Sequence, residues 1–283
     1  MEIINRRQRM ASLARRIRRE DKSIGFVPTM GALHEGHLSL IRKARQMCDV
    51  VVVSIFVNPE QFNDRADFEK YPRDLTADST LLAGLNVDYI FAPSAEEIYP
   101  EGFATYVSVD EIADRLEGAS RPGHFRGVAT IVTILFNTVR PEFGFFGQKD
   151  AQQVAVIKKL ARDLGFETEI VVHPIVREEN GLAMSSRNER LSAEQREKAS
   201  VIFESLNAAK TLFESGESNA TRLAEIVRKT LDSEPAGVVD YVAVVDGDSL
   251  EPIESIGDRP ALIAVAVKFG DIRLIDNIVL GGE

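Results

Sequence analysis

The sequence of 283 residues contains a single cysteine, Cys48, which excludes an internal disulfide and a cysteine-rich zinc site. No apolar run approaches the roughly 20 residues that a membrane-spanning helix needs. The basic N-terminal stretch lacks the continuous apolar core of a secretion signal and has the spacing of an amphipathic helix. These absences predict a cytoplasmic protein without a membrane segment.

Positive charge is also in short supply. Lys and Arg number 34 against 44 Asp and Glu, so the formal net charge is −10. A chain with this balance has little electrostatic attraction for a nucleic-acid backbone. We therefore expect small-molecule ligands, no nucleic-acid partner, and any positive charge concentrated in a pocket.

Strand-like segments alternate with helical periodicity through the first part of the chain. The continuous β-branched run at residues 50–57 is typical of a strand that is covered on both faces. The alternation predicts a Rossmann-like, doubly wound α/β fold with a parallel sheet. The predicted strands are 23–27, 50–57, 88–92, 144–146 and 169–173, and the predicted helices are one entered near residue 34 and those at 75–83, 128–139 and 151–164.

The pattern changes near residue 176. Two long charged helices, 193–214 and 220–231, precede strands at 238–245, 261–268 and 273–279. Helices followed by strands indicate a smaller α+β domain. The predicted domains are therefore residues 1–176 and residues 177–283.

Two of the four histidines, His34 and His37, stand where the first βα loop enters its helix. A helix N-terminus presents N–H groups and partial positive charge to an anion, and Gly36 permits close approach of the backbone. The zincin motif spaces its two histidines four residues apart, whereas these are three apart, so we predict no metal site. Two incidental surface histidines are the other interpretation.

The usual nucleotide and hydrolase motifs GxxxxGK[ST], GxGxxG and GxSxG are missing. Phosphate-binding groups must then come from separate segments. Three follow strands or the domain boundary, namely Asn58–Phe62, Gly147–Gln153 and Met184–Asn188. Each also has an ordinary interpretation, as a turn, a helix capped by Asp150, or a capped helix start.

Further polar positions give weaker indications. Residues 121–127 are either a source of cationic contacts or a solvated turn. Asp78 is a candidate for holding a magnesium ion through water, although its spacing shows nothing of the kind. The pairs Glu178-Glu179 and Asp64-Asp67 have the pattern of surface charge, so we assign them no acid–base role.

Taken together, GFVPTMGALHEGH, VVVSIFVNPEQF, YPRD, RPGHFRGV, FFGQKDAQQ and GLAMSSRN resemble the pantothenate synthetase (pantoate–β-alanine ligase) family in order from Gly25 to Leu191. HxGH with MSSR also resembles a wider nucleotidyltransferase superfamily. The resemblance implies that pantoate and ATP form pantoyl adenylate and that β-alanine then displaces AMP. It also implies Mg²⁺ with the ATP and a homodimer. Because the MSSR segment follows the domain boundary, we expect the small domain to close over ATP and to carry Arg187 into place.

The resemblance further implies residue roles. His37, as proton donor, and His34, Lys149 and Arg187 are the implied catalytic residues. Gln61 and Gln153 are the implied pantoate ligands, and Gln61 also contacts β-alanine. The implied ATP ligands are Met30, Gly31, Ala32, Leu33, His34, Glu35, Gly36, His37, Gly147, Gln148, Lys149, Asp150, Val176, Met184, Ser185, Ser186 and Arg187.

Other functions stay open at this point. Another HxGH nucleotidyltransferase would join a small-molecule acceptor to a nucleotide and ignore β-alanine. The neutral pair Gln61 and Gln153 disfavours a phosphorylated acceptor, which calls for more cationic contacts. A synthetase acting on tRNA is disfavoured by the acidic chain. A nucleotide sensor without turnover is disfavoured by the presence of His37, Lys149 and Arg187.

Overall fold

The computed structural model describes residues 1–282. The chain divides into two compact units: unit 1 comprises Met1–Gly147 and Val156–His173, and unit 2 comprises Gln148–Ala155 and the chain from Pro174 onward. The sequence places the boundary near residue 176 and puts Gln148–Ala155 in the first domain, whereas the structure groups that segment with unit 2. The physical reason is long-range, because Asn277 hydrogen-bonds the main chain of this segment.

Unit 1 contains a parallel sheet with the strand order β1-β4-β3-β2-β5-β6 among the described residues. This arrangement confirms the predicted doubly wound α/β fold. The sequence analysis did not predict β1, because its three residues begin the basic N-terminal stretch, which has helical spacing. The strands are β1 (Glu2–Ile4), β2 (Ile24–Thr29), β3 (Val50–Ile55), β4 (Tyr89–Phe91), β5 (Phe143–Gly147) and β6 (Glu169–His173).

Helices connect these strands and cover the sheet. Helix α7 begins at His124 rather than at the predicted residue 128, because Gly123 turns the chain at φ 83° and His124 and Phe125 are buried. Pro122 and Gly123 form an exposed turn, as one of the two interpretations predicts, whereas residues 124–127 belong to the helix. The helices are α1 (Arg7–Arg19), α2 (Glu35–Met47), α3 (Arg65–Lys70), α4 (Leu75–Ala83), α5 (Ala95–Ile98), α6 (Glu117–Ser120), α7 (His124–Val139) and α8 (Ala151–Asp163).

The core of unit 1 lies between the middle strands and α2. Val51 and Val53 of β3 are fully buried, as the uninterrupted apolar run predicts. They share one cluster with Ile41 and Ala44 of α2 and with Phe145 of β5. Burial of this kind contributes about 25 cal/mol per Å² of apolar surface and anchors the strand ends from which the site loops emerge.

Unit 2 contains an antiparallel sheet with the order β7-β8-β9, and α10 and α11 pack on it. The prediction of a single helix over 193–214 is wrong, because the structure has two helices separated at Ala199 and Ser200. At this break the Ser200 N–H donates to the Glu197 carbonyl and the Ile202 N–H donates to the Ala199 carbonyl, in the 3-10 pattern. The elements are α9 (Ala193–Lys198), α10 (Val201–Glu214), α11 (Ala220–Leu231), β7 (Gly237–Asp246), β8 (Ala261–Phe269) and β9 (Ile272–Leu280).

Across residues 1–282, we find no helix whose length and apolar character would let it cross a bilayer. The most apolar candidate by burial, α7, has 16 residues, and its buried face packs within unit 1. Its apolar side chains therefore serve the protein core.

Candidate active site

The loop after β2 is held in one conformation by a buried carboxylate. Gly31 and Ala32 both have positive φ, at 79° and 50°. Asp78, only 4% exposed, accepts hydrogen bonds from the main-chain N–H of Ala32 (3.1 Å) and Leu33 (2.9 Å). Thr29 Oγ1 accepts from the Gly31 N–H at 3.2 Å. These bonds stabilise a left-handed turn that costs a non-glycine residue such as Ala32 of order 1 kcal/mol.

Asp78 therefore has a different use from the one considered from the sequence. Each of its carboxylate oxygens accepts a loop N–H. A Cβ on Gly31 would lie 2.8 Å from Asp78 Oδ2, so the loop and the carboxylate are in close contact. A buried group occupied in this way is poorly placed to hold a hydrated ion.

The two histidines begin α2, as predicted. His34 is the N-cap, and its Nδ1 accepts from the Gly36 N–H at 3.2 Å. His37 Nδ1 accepts from the His34 N–H at 3.3 Å, and the ring centroids are 4.1 Å apart. Because each Nδ1 is an acceptor, the neutral rings carry their proton on Nε2. The arrangement thus prepares two Nε2–H donors at the start of a helix.

The segment after β3 orients the side chain of Gln61. Asn58, which is 1% exposed, donates from Nδ2 to Gln61 Oε1 and to the Gly127 carbonyl, both at 3.1 Å. Tyr99 donates its hydroxyl to Asn58 Oδ1 at 2.7 Å. Since the Gln61 oxygen is taken by Asn58, its Nε2 group points elsewhere and lies 3.1 Å from Met30 Sδ. Two predicted site residues, Met30 and Gln61, are thereby brought together.

The main chain of Gln61 is held from the start of α7. His124 Nδ1 lies 2.7 Å from the Gln61 carbonyl oxygen, and the Arg121 guanidinium donates to the same oxygen at 3.3 Å. A Cβ on Gly127 would lie 2.3 Å from the Glu60 carbonyl oxygen, so only glycine permits this approach. The segment considered for cationic contacts thus supports Gln61.

Tyr99 remains a hydrogen-bond donor across the physiological range. Burial, reinforced by the nearby carboxylate of Glu60, raises the pKa of the Tyr99 phenol. The neutral phenol therefore keeps its proton and its bond to Asn58. Sequence reasoning missed Tyr99, because it lies 41 residues from Asn58 and no local pattern connects them.

In unit 2, a hairpin pairs two of the predicted ATP ligands. The Met184 N–H donates to the Val176 carbonyl at 2.9 Å, and Arg177 bridges to Ala183. Gly181, at φ 88°, makes the turn. Val176 and Met184 are therefore cross-strand partners, although they are distant in the predicted motif.

The remaining predicted ligands of unit 2 lie in two short 3-10 helices. Gln148–Asp150 forms one, in which the Lys149 ammonium lies 3.6 Å from Asp150. Ser186–Arg190 forms the other, with Ser185 as its N-cap accepting from the Arg187 N–H at 3.3 Å. The predicted capped start is confirmed, but the turn is 3-10 and ends before α9.

The interpretation of Glu178 as surface charge is wrong. Its side chain is 13% exposed and binds Arg196 in a bidentate pair and the Asn188 amide at 2.7 Å. Burial opposes ionisation of Glu178, but the hydrogen bonds from Arg196 and Asn188 outweigh it and lower the pKa. Glu178 thus joins the hairpin to the MSSRN segment and has a structural role.

A histidine that sequence reasoning missed ends β6. His173 pairs in register with Gly147 at the carboxyl edge of the sheet. Burial, with a contribution from Lys43, lowers the pKa of the His173 imidazole. It is therefore neutral at pH 7 and lies on the same edge as the β2 and β3 loops.

The structure assembles the predicted residues in two sets. In unit 1, Met30–His37 and Gln61 meet at the ends of β2 and β3. In unit 2, neighbouring residues of β9 hydrogen-bond both Gln148–Lys149 and Arg177 of the Val176–Met184 hairpin, which Ser185–Arg187 follows. Gln153 lies half-buried in the first turns of α8. Within residues 1–282, no group of three His, Cys, Asp or Glu side chains could hold a metal ion.

Comparisons with known proteins give one family. The family model described as pantoate-beta-alanine ligase matches residues 2–279. The pantothenate synthetase of Thermotoga petrophila is 52% identical over 281 residues, covering 99% of this chain and 100% of the relative. That of Pelotomaculum thermopropionicum is 51% identical over 281 residues, covering 99% of both chains.

Solved structures give the same result. The pantothenate synthetase of Thermus thermophilus superposes with a TM-score of 0.91 at 43% identity, covering 98% of this chain and 99% of that chain. The pantoate-beta-alanine ligase of Francisella tularensis, complexed with beta-gamma ATP and beta-alanine, has a TM-score of 0.79 at 38% identity, with 99% and 97% coverage. Both similarities extend through unit 1 and unit 2.

Proposed function

We propose residue roles for a chain that belongs to the pantoate–beta-alanine ligase family and condenses pantoate with β-alanine at the expense of ATP. The roles are assigned to the two steps of this reaction. In the first step, a pantoate carboxylate oxygen bonds to the α-phosphorus and pyrophosphate leaves. In the second, the β-alanine nitrogen bonds to the acyl carbon and AMP leaves.

The first step requires no base. A carboxylate is ionised at neutral pH, so the protein has to align it with the α-phosphate and neutralise the growing phosphate charge. The donors assigned to this task are the Nε2–H groups of His34 and His37, the Lys149 ammonium, and the Ser185–Arg187 segment. His37 is proposed as the proton donor, and because its Nδ1 accepts the His34 N–H, Nε2 is the atom that donates.

The orientation of the Gln61 side chain is the observation that supports its assignment as a pantoate ligand. Asn58 occupies Gln61 Oε1, which leaves the Gln61 amide group as a donor next to Met30. A neutral donor binds a carboxylate or hydroxyl without the charge pairing that would blunt a nucleophilic carboxylate. Gln153 is proposed as the second neutral pantoate ligand, and Gln61 also serves β-alanine.

The amine of β-alanine has to lose a proton before it attacks the acyl carbon, because its free pKa is about 10. Among the described residues proposed for the site, we assign no side chain as its base. Solvent or a phosphate oxygen accepts that proton.

Magnesium enters with ATP, as part of the substrate. Mg²⁺ prefers substrate phosphates, waters and one or two carboxylates over a cage of protein ligands. Asp150 is the carboxylate proposed for contact with the ion, because about half of its side chain is exposed, whereas Asp78 is occupied by the β2 loop. When bound, the ion neutralises phosphate charge.

Three further properties follow the predictions from the sequence. The buried, unpaired thiol Cys48 suits a reducing compartment, and we propose a cytoplasmic location. A homodimer is proposed as well, and light scattering of the purified chain measures it. Closure of the second unit over ATP is proposed from the position of the MSSR segment. A radius of gyration that does not change with ATP would contradict it.

The reaction is tested by measuring release of pyrophosphate and AMP from MgATP, with each substrate omitted in turn. We expect pyrophosphate release to require pantoate, and multiple turnovers of AMP to require β-alanine as well. A stable nucleotide conjugate formed with another acceptor, without any response to β-alanine, would instead indicate a different HxGH nucleotidyltransferase.

A further inference from the structure

The C-terminal strand β9 carries a buried amide that holds the GQKD segment. Asn277, 3% exposed, donates from Nδ2 to the carbonyl oxygens of Gln148 and Lys149, both at 3.0 Å. Its Oδ1 accepts from the Gln148 side chain at 3.0 Å. Both amide hydrogens and the oxygen are thus used, which leaves one possible orientation for the Asn277 side chain.

The neighbouring residue on β9 holds the hairpin. Asp276, 3% exposed, binds the Arg177 guanidinium in a bidentate pair at 2.6 and 3.1 Å. Arg177 also donates to the Gly181 carbonyl at 3.0 Å and stacks on Phe203, with its Cζ 4.1 Å from the ring centroid. A Cβ on Gly181 would lie 2.3 Å from Phe203, so the turn has little freedom to shift.

The strand fixes the two contacts relative to each other. Asp276 and Asn277 pair in regular antiparallel register with Val265 and Ala264 of β8. Successive side chains of a strand point to opposite faces, so one strand reaches the hairpin on one side and the GQKD segment on the other. The Asn277 N–H also donates to Asp276 Oδ1 at 2.8 Å, which couples the two residues.

We propose that Asp276 and Asn277 are positioning residues that set the geometry of ATP binding by holding the main chain of Lys149 and the Val176–Met184 hairpin. This inference rests on the proposed nucleotide role of those segments. Their proposed effect is indirect, through the segments that they hold. The bonds from Asn277 fix the carbonyl oxygens of Gln148 and Lys149, and with them the main-chain position from which the Lys149 side chain extends.

The test measures steady-state kinetics of Asn277→Ala with each of the three substrates varied. We call the three hydrogen bonds between Asn277 and the Gln148–Lys149 turn the clamp. Loss of the clamp lets Lys149 shift, and a misplacement of about 1 Å costs up to a hundredfold in rate. We expect kcat/KM for ATP to fall about tenfold to a hundredfold, with the KM for β-alanine little changed. Asn277→Asp turns a carboxylate oxygen toward the two carbonyl oxygens, so we expect its kcat/KM for ATP to fall further than that of Asn277→Ala.

Asp246→Asn is the matched control for a general loss of stability. Asp246 is also a buried carboxylate of the unit 2 sheet, but it accepts from Asp248 and Ser249 of its own turn and pairs with Arg259. It is expected to lower the Tm without a selective effect on ATP. If Asn277→Ala fails to fold, Gln148→Ala removes only one of the three clamp bonds and is expected to give a smaller, ATP-selective loss.

Lys149→Ala separates failure of this inference from failure of the proposed function. A large ATP-selective loss in both Lys149→Ala and Asn277→Ala supports the clamp. A loss in Lys149→Ala alone, with Asn277→Ala and Gln148→Ala at wild-type kinetics, overturns the clamp and leaves the function intact. Wild-type kinetics in Lys149→Ala removes the nucleotide role of the segment, and the inference falls with it.

Discussion

The two units hold their site segments with groups of opposite polarity. In unit 1, the loop after β2 presents N–H groups to the interior, and the carboxylate of Asp78 accepts them. In unit 2, the turn after β5 presents carbonyl oxygens, and the amide of Asn277 donates to them. Each buried side chain is therefore complementary to the main-chain groups that face it, an acceptor toward N–H groups and a donor toward carbonyl oxygens. A carboxylate could not replace the amide of Asn277, and an amide could not fully replace the carboxylate of Asp78.

The difference also determines what each segment offers outward. The β2 loop leads into α2, whose start supplies the two imidazole donors. The β5 turn has the carbonyl oxygens of Gln148 and Lys149 taken by Asn277, and it carries the Lys149 ammonium. Under the proposed function, both segments supply hydrogen-bond donors for the phosphates of ATP, although they are built on opposite internal contacts.

The largest effect is expected from His37→Ala, which removes a donor of unit 1. We expect the adenylation rate to fall at least about a hundredfold, in line with loss of a transition-state donor. The measurement is single-turnover release of pyrophosphate. His37→Gln places an amide near the Nε2 position and is expected to retain more activity than His37→Asn, whose amide lies near Nδ1. Adenylation at the wild-type rate in His37→Ala would remove this residue from the mechanism.

The clamp of unit 1 is tested by Asp78→Asn. One of the two loop N–H groups then faces an NH2 group, and we expect adenylation to fall about tenfold and stability to drop by about 1–3 kcal/mol. Kinetics and thermal unfolding measure the two losses. Asp88→Asn is the control, since Asp88 accepts the Val51 N–H and pairs with Arg45 outside the site loops. Equal kinetic losses in both variants would contradict the role of Asp78.

A smaller effect is expected from Tyr99→Phe. Loss of the hydroxyl leaves Asn58 Oδ1 without its donor, so the amide no longer has a single preferred orientation toward Gln61. We expect the KM for pantoate to rise about threefold to tenfold, because the net value of one such bond is about 1 kcal/mol. In the wild type, the raised pKa of Tyr99 predicts that this KM does not change through ionisation of the phenol up to about pH 10. A change in the KM for ATP instead of pantoate would contradict this assignment.

The sequence predicts the fold class and the site segments of the two units, but not the buried side chains that hold those segments. His34, Gly36 and His37 stand together at a helix start, so their pattern is local and visible. Asp78 lies 46 residues from the loop that it holds, and Asn277 lies 129 residues from Gln148. Contacts between such distant residues depend on the packing of the whole sheet, which periodicity does not show. The same reason explains the misassignment of Glu178 as surface charge and of Gln148–Ala155 to the first domain.

The smallest effect concerns the acid sensitivity of the two units. The pKa of His173 in folded unit 1 is lower than its ordinary value of 6.5. As the pH falls through 6.5, this imidazole therefore takes up a proton more readily in the unfolded chain than in the folded protein. Its contribution to stability is therefore present above pH 6.5 and is lost as the pH falls. Glu178 of unit 2 also has a lowered pKa, but its ordinary value is 4.5, so its contribution is lost only at lower pH.

His173→Gln should consequently reduce the fall in Tm between about pH 7 and pH 5.5, by about 1–3 °C, whereas Glu178→Gln should leave that slope unchanged. Thermal unfolding in buffers of equal ionic strength measures both variants. If the change in Tm with pH is the same in His173→Gln as in the wild type, protonation of this imidazole does not affect the stability of the protein in this range. If Glu178→Gln instead steepens the fall in Tm, the folded pKa of this carboxylate lies above its ordinary value, and the bonds from Arg196 and Asn188 do not outweigh burial.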